Sequence, residues 1–88
     1  MAKFKRDFTF DNEIIKTIAI NIRKYRKERK ITQEQLALDI EVSPEFYRRF
    51  ESTLGSEGIS LTNVYKISVV LDIRIDKLFE KESKEKTD

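Results

Sequence analysis

The side chains best suited to chemistry in this 88-residue chain are cationic, and they are unevenly placed. Residues 1–30 hold ten lysines and arginines against four acids, whereas the remainder holds eight against twelve, so positive charge gathers at one end although the net charge is only +2. The densest stretch is RKYRKERK, Arg23 to Lys30. Standing alone, such a run is a solvated helix face; next to an anion it is an attractant. The sequence has no histidine and no cysteine, which removes the usual general base, thiolate nucleophiles, disulfides and zinc clusters together. Carboxylates such as Glu34 and Asp39 remain, but their spacing implies no paired constellation in a pocket. The expectation is a protein with no catalytic residues, no metal and no cofactor, and so not an enzyme.

The elements that must position the charges are announced between Ile31 and Glu51, ITQEQLALDIEVSPEFYRRFE. Thr32 with Gln35 three residues on forms a capping box, flanked by Ile31 and Leu36 as a hydrophobic staple. A second start follows at Ser43, with Pro44 at the first helical position, Glu45 in the positive field of the helix N-terminus, and Val42 and Tyr47 as the matching staple. Between the starts, QEQLALDI places Leu36, Ala37 and Ile40 on one face. Only Glu41 and Val42 remain for the turn, so the two helices must cross steeply. Small Ala37 permits the close approach, and the second helix projects outward as a reading head.

The rest of the chain reads as further helices. One runs from near Asp11 to about Arg29, with Ile14, Ile18, Ile22 and Tyr25 in a stripe that Ile15 widens. After Glu51, STLGSEG holds both glycines, and Ile59 and Ser60 repeat the staple and cap. The helix that follows buries Leu61, Val64, Ile67, Ser68 and Leu71 and stops near Asp72. A last short helix spans about Ile75 to Lys81 and carries Leu78 and Phe79. Residues 1–10 form an arm in which Phe4, Phe8 and Phe10 alternate with Lys3, Lys5 and Arg6; its phenylalanines either cover the end of the core or build a partner surface. Residues 11–81 make the domain, and 82–88 a disordered polar tail. No apolar run approaches the ~20 residues needed to span a bilayer, and the first residues lack a signal-peptide core, so a cytoplasmic protein without membrane contact is expected.

The phrases ITQEQLA, VSPEFYRRFE and ISLTNVYKISVVLDIRIDKLF, in this order, resemble the phage repressor and Cro-like helix-turn-helix family over residues 14–80. The resemblance implies an all-α, five-helix, lambda-repressor-like DNA-binding domain with an N-terminal arm. It implies that Gln33 opens the second helix beside a DNA phosphate and that Ser43 opens the reading helix. Pro44, Glu45 and Arg49 fall where members touch base edges, and Arg48 shares their side. Arg49 has the planar fork that matches guanine, while Glu45 can accept from a cytosine amine or simply favour the helix dipole. Phe46, Tyr47 and Phe50 fall on core positions. Arg26 and Glu51 fall where members form a structural ion pair.

Departures from the pattern are equally specific. Glu41 and Asp72 stand where members carry glycine in left-handed turns, which for Glu41 costs ~1 kcal/mol. Ser52, Thr53 and a longer loop with Glu57 replace the basic residues that grip phosphate after the reading helix. The resulting expectation is a sequence-specific transcriptional regulator, a repressor in the first instance, that binds double-stranded DNA as a homodimer. Ile73, Ile75, Leu78 and Phe79 are candidates for the two-fold interface. The alternative is an antitoxin or other protein-interaction module, with a protein partner the sequence does not identify.

Overall fold

The computed structural model describes residues 13–81. The arm at 1–10, the tail at 82–88 and Asp11, the expected start of the first helix, lie outside these residues. The chain forms α1 (Ile14–Glu28), α2 (Gln33–Ile40), α3 (Pro44–Ser52) and α4 (Leu61–Leu71), then a 3-10 helix at Ile75–Phe79. The expected fifth α-helix is therefore a single 3-10 segment, held by tight bonds such as Lys77 N–H to Arg74 C=O at 3.0 Å. Its end is fixed from outside: the Asn21 side-chain amide donates to the carbonyls of Leu78 and Glu80, each at 2.8 Å.

Three helices open on a hydroxyl. Thr32 accepts from the Gln35 N–H at 3.0 Å, Ser43 from Phe46 at 3.0 Å and Ser60 from Asn63 at 3.1 Å, each satisfying an amide that has no partner inside its helix. The capping box at Thr32 is only half formed, because the Gln35 side chain reaches forward to Asp39 at 3.0 Å instead of back.

All four α-helices also close in the same way. Lys30, Glu41, Leu54 and Asp72 take positive φ, at 58°, 67°, 52° and 58°. Each time, the residue after it sends its N–H five residues back: Ile31 to Arg26 at 3.1 Å, Val42 to Ala37 at 3.0 Å, Gly55 to Phe50 at 2.8 Å and Ile73 to Ser68 at 3.0 Å. This is the Schellman closure, usually built on glycine and here built four times without it. Only Gly55, which follows Leu54, is a glycine with a packing reason: a Cβ there would lie 2.5 Å from Ile15 Cγ2.

The core is a single cluster of Ile18, Ala19 and Ile22, Leu36, Ala37 and Ile40, Tyr47 and Phe50, Val64, Ile67 and Leu71, closed by Leu78. Leu78 is wholly buried, which removes it from the expected two-fold interface; it seals the core against α1. Leu61 departs from its expected burial and is 72% exposed. It is the first residue of α4, ahead of the turn that meets the core, and it lines up with exposed Tyr65 and Val69 along the outer side.

Candidate nucleic-acid interface

The two faces of α3 differ in kind. Tyr47, Phe50 and Glu51 point inward, whereas Pro44, Glu45, Arg48, Arg49 and Ser52 form a continuous exposed stripe and Phe46 sits at the rim. Positions 44, 45, 48, 49 and 52 recur at the spacing of a helical face, so this separation follows from the 3.6-residue period.

Glu51 holds the inner face. Its carboxylate accepts from Arg26 Nε at 2.8 Å and Arg26 Nη2 at 3.0 Å, from Gln33 Nε2 at 2.9 Å and from the Tyr47 hydroxyl. Arg26 Nη1 donates to the Ile31 carbonyl at 2.8 Å, so the guanidinium also ties α1 to the start of α2. The side chains of Arg26 and Glu51 are only 9% and 3% exposed, and among the described residues no buried side-chain N or O lacks a partner. Burial pushes the Glu51 carboxyl up, but hydrogen bonds from Arg26, Tyr47 and Gln33 outweigh it and hold the group below its ordinary range. The hydrogen bond to Glu51 raises Arg26 despite burial. Burial first, then the bond to Glu51, raises the Tyr47 phenol, which stays a donor. The Arg26–Glu51 contact joins α1 to the end of α3.

The outer face carries charge that remains accessible. Arg49 Nε donates to Glu57 Oε1 at 2.9 Å, with the two side chains 53% and 55% exposed. Arg48 Nη1 lies 3.6 Å from Glu34 Oε2. Ser43 uses its oxygen as the α3 cap and keeps its O–H free to donate outward. Pro44 and Glu45 are both exposed at the tip of α3. A shallow cleft lined by Arg23, Gln33, Arg48, Glu51, Ser52 and Leu54 joins this stripe to the basic end of α1.

The fold thus brings together Ser43, Pro44, Glu45, Arg48 and Arg49 on one exposed stripe, with Gln33 beside it. Gln33 is turned further inward than a pure phosphate ligand requires, since its amide is engaged by Glu51. Sequence reasoning missed three participants. Arg23, half exposed and 4.0 Å from Glu51 Oε1, places a cation at the cleft; it was visible only as one of a basic run. Glu34 and Glu57 pair with the two arginines of α3 from a neighbouring helix and a following loop, a tertiary arrangement that no local spacing signals.

A family model described as helix-turn-helix matches residues 22–78. The uncharacterized HTH-type transcriptional regulator YqaE of Bacillus subtilis is 35% identical over 66 residues, covering 75% of this chain and 55% of the relative. The chain therefore spans about half the length of that curated relative. Among solved structures, the N-terminal DNA-binding domain of SinR from Bacillus subtilis superposes with a TM-score of 0.66 at 26% identity, over 77% of this chain and 97% of that one. A structure of SinR in complex with DNA gives a TM-score of 0.63 at 28% identity, over 72% and 98%. A hypothetical transcription factor from Neisseria, at 18% identity and a TM-score of 0.72 over 94% and 91% of the two chains, shares the fold.

Proposed function

The chain belongs to the helix-turn-helix family, and on that premise we propose that it is a sequence-specific regulator of transcription that lays α3 in the major groove of double-stranded DNA. The observation that carries the reading is the division of α3. Its inner face is fixed by the buried carboxylate of Glu51, and its outer face presents Arg48 and Arg49 to solvent beside Ser43. A helix held rigidly on one side and cationic on the other is what groove readout requires. Arg49 is assigned to a base edge, where a guanidinium fork meets the paired acceptors of guanine. Ser43, Arg48 and Gln33 are assigned to the backbone or its neighbourhood, with Arg23 and the end of α1 adding attraction that salt weakens. Pro44 and Glu45 stand at the tip of α3, where they contact bases by shape or, for Glu45, by accepting from cytosine.

The proposed working form is a homodimer on a near-palindromic site, half-sites ~34 Å apart, and the proposed sign is repression by occupancy. With Leu78 buried, the apolar surface near the C-terminal end that could serve a two-fold contact includes Phe79, partly exposed Ile73 and Ile75, and the row Leu61, Tyr65 and Val69. That same row favours a second reading, a protein-interaction module for which DNA is secondary.

Selection of bound duplexes from a random pool, repeated with Arg49→Ala, tests the proposal. A shared motif in the selected pool that loses one position per half-site in the variant supports it. No enrichment, or binding that salt leaves unchanged, contradicts it and favours the second reading.

A further inference from the structure

We infer that Glu57 is a positioning residue for base recognition: its carboxylate holds Arg49 by Nε so that the Nη1 and Nη2 groups face a guanine. This rests on the assignment of α3 as the reading helix and goes beyond it, because it places part of the specificity outside that helix. A guanidinium offers two edges, and the bidentate contact to guanine O6 and N7 needs the outer one. In the structure Glu57 Oε1 accepts from Arg49 Nε at 2.9 Å. The hydrogen bond that the Arg49 guanidinium makes among the described residues is this one, through Nε, so the Nη1–Nη2 edge keeps its donors for the base.

The loop that delivers Glu57 is fixed at both ends. Gly55 N–H bonds the Phe50 carbonyl at 2.8 Å, Ser56 N–H bonds Thr53 at 3.1 Å and Gly58 N–H bonds Gly55 at 2.8 Å. Gly55 is pressed so closely on α1 that a Cβ would meet Ile15 Cγ2 at 2.5 Å. At the other partner, the hydroxyls of Ser52 and Thr53 donate to the Arg49 carbonyl at 3.2 and 2.8 Å. Both members of the pair therefore stand on anchored backbone, so the two side chains start from fixed positions within reach of each other. A carboxylate here has an opposite effect on unspecific binding, since it repels phosphate. Glu57 thus trades general attraction for discrimination.

Two substitutions separate positioning from charge. Glu57→Ala removes both the charge and the acceptor; Glu57→Gln removes the charge and keeps an oxygen that Arg49 Nε can bond. Affinities are measured for a duplex selected by the unaltered chain, for versions with the guanine assigned to Arg49 replaced, and for a random duplex. The expected result is that Glu57→Ala loses roughly three- to tenfold of the guanine discrimination, a share of what a bidentate contact supplies. Glu57→Gln keeps most of it, and both variants bind the random duplex more tightly. Because the pair is exposed, both should melt as the unaltered chain does. Unchanged or sharpened discrimination in Glu57→Ala overturns the inference, as do equal losses in the two variants or an Arg49→Ala variant that keeps the guanine preference. If the unaltered chain selects no duplex at all, the assignment of α3 has failed before Glu57 is reached.

Discussion

Each side of α3 carries arginine–glutamate pairing, and the pairs do different things. Beneath the helix, Arg26 and Glu51 are buried and each of their side-chain nitrogens and oxygens has a partner, with Gln33, Tyr47 and the Ile31 carbonyl completing the set. On top, Arg48–Glu34 and Arg49–Glu57 are about half exposed and engage through single contacts. Water decides the outcome. A buried charge stripped of its partner has nowhere to be solvated, so the lower pair locks three helices together. An exposed pair is screened and contributes ~0–1 kcal/mol, so it adds little to folding and leaves its arginine accessible to a ligand.

The largest effect should come from breaking the lower pair. Glu51→Ala is expected to destabilise the domain by ~3–5 kcal/mol by stranding Arg26, whereas Glu45→Ala, at the exposed tip, should stay within ~0.5 kcal/mol. A chemical melt that reverses this order would break the comparison.

Acid should act through the same carboxylate. The Glu51 carboxyl lies below its ordinary value of 4.5 in the fold, so the stability it contributes is complete above that value. It is lost as pH falls through the lower, folded value. The stability gap between the unaltered chain and Glu51→Gln should therefore narrow on acidification below 4.5; a gap that widens there would contradict the sign. A smaller loss is expected for Tyr47→Phe, ~1.5–3 kcal/mol for one hydrogen bond to a charged group. Equilibrium unfolding in urea would measure it, and no loss would remove Tyr47 from the buried set.

What could be read from the sequence divides along similar lines. Ser43 and Pro44, Thr32 and Ser60 were legible because a cap is decided by residues three apart. The core positions of α2 and α3 were legible because burial repeats with the helical period. The Arg26–Glu51 pair, 25 residues apart, was legible only through resemblance to a family. Contacts made across the fold by unfamiliar partners left no such trace. Glu57 meets Arg49 only after a loop closes over Gly55, and Asn21 reads as one more polar helix residue until it clamps the carbonyls of Leu78 and Glu80. Leu61 fitted the apolar period and still faces outward, since periodicity does not say where along a helix the core begins. The half-made capping box is similar: the Gln35 side chain could accept from the Thr32 N–H behind it or donate to Asp39 ahead, and it donates to Asp39.

The most direct test of the account compares binding and folding in one variant. Arg48→Ala combined with Arg49→Ala removes the cations of the outer face and leaves Glu51 and its partners untouched. This protein should melt within ~1 kcal/mol of the unaltered chain and lose its preference for a duplex selected by that chain. Retained preference in a normally folded variant would show that the outer face of α3 does not read DNA.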